Sequence, residues 1–387
     1  MVIYVHIPFC VRKCYYCDFL SGPSDEETIE KYVKALIHEI EYYGERFGKA
    51  GKNIPITSIF FGGGTPSLID SMYIKIIMSK LIELFHIEEN AEVTIECNPG
   101  TANEEKLKIY RDIGINRISI GLQSANDEEL KRIGRIHTYE QFLTFYNEAR
   151  KVGFDNINVD LMSALPYQTL DSYKETLHKV TQLNPEHISA YSLILEEGTC
   201  LYEQIETLER EGKETGLPDE DTERNMYYET KAILEENGYY RYEISNYAKK
   251  GKECKHNIAY WRRIDYIGIG IGAASYINSV RMKNISDISE YINIDRNSPM
   301  CDGKTEMELL TIEDKMAEFM FLGLRMVEGI SIKNFEQEFS QDFNEIYGDI
   351  TKKHIEDGLL IQNGDNVRLT ELGLDVSNMV MSSYILC

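Results

Sequence analysis

Three cysteines crowd into eight residues as Cys10-x3-Cys14-x2-Cys17, directly after a β-branched run at 2–6. Soft thiolates at this spacing in one loop can converge on a single cluster or ion. Three thiolates on a four-iron cluster leave one iron open, and an open iron can chelate a small molecule. A structural zinc ordinarily takes four protein ligands in pairs such as Cys-x2-Cys, and no second pair exists in the chain. Zinc and three unrelated buried thiols are therefore the weaker readings. Further chemistry-bearing residues follow in order. Gly62-Gly63-Gly64-Thr65-Pro66 closes a second run, where glycine lets backbone amides approach a ligand without a Cβ in the way. Glu96, Gln123 and Asp160 end the third, fourth and fifth runs. Glu96 can accept from an ammonium or a ribose hydroxyl, Gln123 and Asp160 can pair with hydroxyls or amides, and Arg135 can hold a carboxylate. Taken singly, each strand-end polar residue is equally well read as a helix cap, and Arg135 as an exposed helix-end cation.

Only a frame that gathers strand ends can bring these residues together. Short β-branched runs recur at 2–6, 56–61, 92–96, 117–120, 156–161 and 187–193, with helical periodicity between them at 27–47, 72–85, 104–113, 139–152 and 172–180. Such alternation implies a parallel sheet with right-handed crossovers. The unusual residues sit at the C-terminal ends of the strands, the face where barrel enzymes place their sites. The expected fold is thus α/β, a partial (β/α)6 barrel. After an irregular acidic stretch at 196–218, a helix is expected at 220–237, then a polar segment with Cys254 and His256, and a glycine-rich strand at 267–276. Helical runs at 313–327, 331–339 and 343–357, then two short strands around Asn363-Gly364-Asp365-Asn366, predict a small, mostly α, winged-helix-like C-terminal domain. The expected division is a core barrel over 1–240, an extension over 241–300 and the C-terminal domain over 301–387.

Composition narrows the function classes. The 387 residues carry 41 Lys and Arg against 64 Asp and Glu, a net charge of −23, which argues against nucleic acid or an anionic membrane as partner. The winged-helix-like segment is itself acidic, so it is read as a packing or substrate-covering module. No run reaches the roughly 18 unbroken apolar residues of a membrane span. Apart from the crowded three, Cys97, Cys200, Cys254, Cys301 and Cys387 lie scattered, which favours a reducing, cytoplasmic setting.

With those motifs in order, the chain resembles the radical S-adenosylmethionine superfamily. The resemblance implies a 4Fe-4S cluster on Cys10, Cys14 and Cys17, whose open iron binds S-adenosylmethionine for reductive cleavage. It places Tyr4, Gly63, Gly64, Thr65, Glu96, Gln123, Arg135 and Asp160 at cofactor positions. The match extends over nearly the whole chain to the coproporphyrinogen dehydrogenase branch, and within it to the haem-chaperone family. The segments that carry it are Tyr4-x-His-Ile-Pro-Phe-Cys10, Gly62-Gly-Gly-Thr-Pro-Ser67, Glu96-Cys-Asn-Pro-Gly100, Leu165-Pro-Tyr-Gln-Thr169 and Cys254-Lys-His-Asn-Ile-Ala-Tyr-Trp261. Two departures set the chain apart from the dehydrogenase. Phe19 stands where that signature has a fourth cysteine, and only three residues precede Tyr4 where the dehydrogenase carries an extension. His256-Asn-Ile-Ala-Tyr260-Trp261 resembles the haem-binding motif of the chaperone family, which makes His256 the candidate axial ligand and Tyr260 and Trp261 candidate contacts. Cys254 is an alternative thiolate. His6 and His137 are weaker candidates, His6 being read as a strand residue beneath the cysteine loop. The implied function is to bind haem and pass it to an acceptor such as a haem-dependent respiratory protein, with a homodimer as a further expectation. Radical oxidative decarboxylation of coproporphyrinogen III is the alternative, and a zinc-stabilised interaction protein the third reading.

Overall fold

The computed structural model describes residues 1–294 and 306–385. The boundary expected at 300/301, Cys301 and Cys387 lie outside the described residues. The chain alternates β1 (Val2–Ile7), α1 (Glu26–Phe47), β2 (Pro55–Gly63), α2 (Ser71–Leu84), β3 (His86–Cys97), α3 (Glu104–Asp112), β4 (Arg117–Gln123), α4 (Asp127–Arg132), α5 (Tyr139–Val152), β5 (Ile157–Ser163), α6 (Leu170–Leu183) and β6 (His187–Ser192). Strands β1 to β6 pair in sequence order and all parallel. Neither end of the resulting sheet meets the other, so the barrel is partial, as the six βα units require.

Local chemistry sets the helix starts. Asp25 accepts from Thr28 N at 2.8 Å to begin α1, and Thr138 with Gln141 forms a reciprocal capping box at the start of α5, which ends on Gly153 in the left-handed conformation. Each strand then divides its faces. Ile118, Ile120 and Leu122 of β4, like Ile157, Val159 and Leu161 of β5, are fully buried in the apolar core shared with the helices. Their alternates point into the barrel.

Beyond β6 come α7 (Cys200–Arg210) and α8 (Glu220–Glu236), the short strands β7 (Tyr240–Arg241) and β8 (Asn246–Ala248), α9 (Lys255–Trp261), β9 (Tyr266–Ile269), β10 (Ala274–Ile277), β11 (Val280–Lys283), α10 (Ile288–Ile292) and β12 (Glu306–Leu309). Two expectations change here. The stretch 196–218 contains a regular helix, α7, because Thr199 caps it and Leu201 and Ile205 are buried beneath it. The glycine-rich run 267–276 is a hairpin, since Gly270 and Gly272 take φ of 104° and 60° and turn the chain back, β9 running parallel to β1 and β10 antiparallel to β9. A separate apolar core joins α11 (Ile312–Gly323), β13 (Ile330–Ser331), α12 (Ile332–Phe339), α13 (Phe343–Glu356), β14 (Leu360–Asn363), β15 (Asn366–Leu369), α14 (Glu371–Asp375) and α15 (Ser377–Ser382) into the winged-helix-like unit.

The turn 270–273 is held from behind by a buried carboxylate. Glu39 of α1 is wholly inaccessible and accepts from Gly270 N at 2.8 Å, Asn284 Nδ2 at 2.6 Å and Tyr291 Oη at 2.5 Å. Burial pushes its pKa up from the usual 4.5 to about 7 despite those donors. A raised folded-state pKa means a stability contribution that is full below about 4.5 and lost as pH rises to about 7. Unfolding by urea from pH 5 to 8 is expected to lose about 3 kcal/mol at most through this group. Glu39→Gln should flatten that slope, and an unchanged slope in the variant would refute the assignment.

Candidate functional site

Read inward, the strands present a polar lining: Tyr4 and His6 from β1, Ser58 and Phe60 from β2, Glu92, Thr94 and Glu96 from β3, Arg117, Ser119 and Gln123 from β4, Asn158 and Asp160 from β5, His187 and Ser189 from β6. A barrel interior made only for packing fills with branched apolar side chains. Here a cavity of about 710 Å³ runs along this lining, reaching the glycine segment at Gly63 and the cysteine loop at Asp18, Phe19 and Leu20.

The mouth is organised around the cysteines. Thr65 Oγ1 lies 3.5 Å from Cys10 Sγ and accepts from Asn98 Nδ2 at 2.8 Å. Asn98 Oδ1 accepts from Arg135 Nη2 at 2.7 Å, and Arg135 Nη1 donates to Cys14 Sγ at 3.7 Å. Cys10, Thr65, Asn98, Arg135 and Cys14 thus form one continuous polar arc, with Arg135 also bonded to Gly121 O. Arg135 is therefore a part of the mouth rather than an exposed helix-end cation. All three cysteines are half-buried, in a loop tied down by Tyr15 N to Ile133 O at 3.0 Å and Arg12 Nη2 to Gly134 O at 3.0 Å. Among the described residues, no three His, Cys, Asp or Glu side chains are gathered around a single-ion position. Three thiols beside a guanidinium suit a larger soft group of net negative charge.

Behind the arc, Glu96 Oε2 accepts from Gly63 N at 3.0 Å, and Gly63 itself, at φ 111°, admits no Cβ because the His6 ring would lie 2.5 Å from it. Gln123 ends β4 at φ 71°, beside a register shift that turns the strand end toward the mouth. Asp160 accepts from Asn158 Nδ2 at 2.7 Å and Ser119 Oγ at 3.2 Å. Burial, then the nearby Asp160, pushes the Glu96 carboxyl up to about 8. Burial raises Asp160 as well. Two carboxyls that repel each other across a cavity wall form a site for ammonium or hydroxyl groups. Tyr4 donates to His6 Nδ1 at 3.0 Å, while His6 Nε2 donates to Leu20 O at 2.9 Å, so His6 holds up the loop as expected.

The segment 254–261 lies deeper. Cys254 offers α9 no side-chain cap; instead the buried Glu92 carboxylate of β3 accepts from Lys255 N and His256 N, both at 3.2 Å. This fixes His256 inside the lumen, 1 % exposed, its ring 5.1 Å from Phe60 and 6.5 Å from Tyr4 between centroids. Nδ1 pairs with Ser58 Oγ at 3.0 Å and Nε2 with Tyr260 Oη at 3.1 Å. Burial, with Arg117 adding to it, lowers the imidazole to about 3, so it is neutral, the form that ligates metals. Ligation through Nε2 requires the Tyr260 contact to open. Tyr260 and Trp261 line the same cavity, and Arg325 stands 4.4 Å over the Trp261 ring. Cys254 keeps its proton, burial pushing it up to about 12, and donates to Glu92 at 3.5 Å, which weakens it as a thiolate ligand. His137 is buried away from the cavity lining.

Glu92, Arg117 and His187 carry no motif that marks them in the sequence, and Asn98 stands within Glu96-Cys-Asn-Pro-Gly100 without a role of its own. His187 Nδ1 donates to Asn158 Oδ1 at 2.5 Å and its Nε2 accepts from Tyr242 Oη at 2.8 Å, bracing the wall behind Asp160. The signal that could have found them is the period-two polar alternation along β3 to β6.

A cysteine loop leaving the first strand of a partial (β/α)6 barrel defines a radical S-adenosylmethionine protein, and the Radical SAM superfamily model matches residues 4–180, with the HemN C-terminal domain model matching 310–376. The chain is 35% identical to the heme chaperone HemW of Lactococcus lactis over 99% of this chain and 97% of that one, and 34% identical to HemW of Bacillus subtilis over 99% and 98%. It belongs to the HemW family. The solved coproporphyrinogen III oxidase HemN of Escherichia coli superimposes with a TM-score of 0.84 at 24% identity, covering 99% of this chain and 89% of that one, which is a likeness of fold. No helix among the described residues is long and apolar enough to cross a membrane.

Proposed function

We propose that the chain binds haem in the barrel cavity and passes it to an acceptor protein, with a 4Fe-4S cluster and S-adenosylmethionine at the mouth. The observation that carries this reading is the single cavity lined both by Gly63, Glu96 and Asp160 and by His256, Tyr260 and Trp261. Cys10, Cys14 and Cys17 would hold the cluster, which when bound supplies an electron and an open iron for the amino and carboxylate groups of S-adenosylmethionine. Arg135 balances the charge at Cys14, Thr65 steadies Cys10, and Glu96 and Asp160 receive ammonium and hydroxyl groups. The flat rings of Phe60, Tyr260 and Trp261 suit a porphyrin face, and neutral His256 suits its iron. The acceptor, a respiratory haem protein on the sequence expectation, and a cytoplasmic setting are parts of the same reading.

The test is an anaerobic haem titration of cluster-loaded protein by absorption, alongside His256→Ala and Tyr260→Phe, with coproporphyrinogen III turnover followed in the same tubes. The wild type should bind haem saturably and make no vinyl product. His256→Ala should weaken binding by about tenfold or more, the cost of one lost axial ligand, whereas Tyr260→Phe frees Nε2 and should tighten it. Product formation with only non-saturable haem uptake would instead favour the decarboxylase.

A further inference from the structure

The floor of the cavity carries a cation that the reading above does not use. Arg117 opens β4, is 2 % exposed, and lines the cavity together with Ser119, Asn158 and Asp160. Its Nε has no hydrogen-bond partner, and among the described residues its guanidinium makes neither a hydrogen bond nor an ion pair. Three other arginines that line or flank this cavity are paired, Arg263 with Glu338 at 2.6 Å, Arg281 with Glu318 and Arg135 with Asn98, while Arg325, whose Nε is also without a hydrogen bond among the described residues, is stacked on Trp261. The carboxylates whose charge Arg117 feels make their hydrogen bonds elsewhere, Glu92 in capping α9 and Asp160 with Asn158 and Ser119.

Burial disfavours this cation and the fields of Cys254, Glu92, Tyr242 and Asp160 favour it, but among the described residues none of them meets the guanidinium in a hydrogen bond, and its planar fork is made for a carboxylate. Two sources of that carboxylate are at hand. An amino-acid carboxylate held beside the cysteines would lie near Arg135, whose side chain reaches Gly121 O. Arg117 is four residues back along β4 from Gly121, roughly 13 Å at about 3.3 Å per residue. From this separation we infer that Arg117 is the carboxylate-binding group of a second subsite at the lumen floor. Resting on the haem reading, the favoured source is a porphyrin propionate, with the macrocycle against Phe60 and Tyr260.

The experiment titrates the full cluster-loaded chain, wild type, Arg117→Met and Arg117→Lys, with three probes: metal-free protoporphyrin, its dimethyl ester, and S-adenosylmethionine. Metal-free porphyrin removes any contribution from His256. Wild type should prefer the free acid to the ester, and Arg117→Met should weaken the acid by about tenfold or more, leaving the ester and S-adenosylmethionine unchanged. Arg117→Lys, which keeps charge but loses the fork, should fall between. The ester separates a structural role, since a loosened cavity would weaken acid and ester alike; melting temperature should fall modestly in Arg117→Met, because the Arg117 charge favours the ionised forms of Glu96 and Asp160, and less in Arg117→Lys. A loss confined to S-adenosylmethionine would keep the carboxylate role and transfer the source to the amino-acid group. Equal losses for acid and ester, or no loss with any probe, would overturn the inference. Failure of the wild type to bind either porphyrin would sink the haem reading separately, and Arg117 would then stand or fall on S-adenosylmethionine alone.

Discussion

Replacing any one of Cys10, Cys14 and Cys17 with alanine is expected to strip iron and sulfide from anaerobically purified protein and to take S-adenosylmethionine binding below detection, with the far-ultraviolet circular dichroism unchanged. The fold should survive because the loop is held by its backbone: Cys10 N to Gly22 O at 2.9 Å, Tyr15 N to Ile133 O at 3.0 Å and Leu201 N to Tyr15 O at 2.8 Å. None of these bonds uses a thiol. The losses should be all-or-none, since a cluster with two protein thiolates has two open irons and falls apart or exchanges. Exposed Cys200, whose thiol accepts from Gln204 Nε2 at 3.2 Å, is the control, and Cys200→Ala should retain full iron. Stoichiometric zinc in the wild type, or iron that persists in two of the three variants, would remove the cluster from these residues.

Gly64→Ala should be nearly as damaging by a different route. A Cβ at Gly64 would stand 2.9 Å from Phe9 O and from Pro8 C, and 3.0 Å from Ile7 O, all backbone atoms with no freedom to swing aside. Gly64 N donates to Ile7 O at 2.8 Å and Thr65 N to Phe9 O at 2.9 Å, so the glycine segment is laced to the residues that lead into Cys10. An added methyl must part β1 from β2 at that point. The expected cost is about 3 kcal/mol of stability, at the upper end for overpacking, together with loss of the Cys10–Thr65 contact. Chemical denaturation and iron content measure the two effects. By contrast a Cβ at Gly100 would meet nothing within 4 Å among the described residues, so Gly100→Ala should carry only the strain of its φ of 85° and keep its iron. If both variants behaved alike, crowding at the β1–β2 junction would not be the cause.

Much of the frame was legible because its signals are local. The six βα units announce themselves by period, and Cys10-x3-Cys14-x2-Cys17, Gly63, Gly64, Thr65, Glu96, Gln123, Arg135 and Asp160 all reach the barrel mouth or its lining, since the C-terminal ends of parallel strands and the connections that leave them gather at one face. What escaped depends on contacts far apart in the chain. The setting of α9 inside the lumen rests on Glu92, more than 160 residues away, capping its first turn. Arg117 reads in sequence as an ordinary strand-opening cation, and only the burial of its side chain without a hydrogen bond among the described residues marks it out. The hairpin at 266–277 reads in sequence as one strand because glycine is silent about direction until its φ is known.

Trp261 is the only tryptophan in the chain. It lines the lumen cavity on one side and, on the other, a groove floored by Phe319, Met326 and Ile330 of the C-terminal region, with the Arg325 guanidinium on its face. All of the protein's indole fluorescence therefore originates at the seam between barrel and winged-helix-like unit, next to the residues that would meet a porphyrin. A porphyrin in the cavity would quench it by energy transfer, and a shift of the C-terminal unit that moved Arg325 would change its wavelength. The molecule thus carries a built-in optical gauge at one address, which can report loading and unloading in real time without a label.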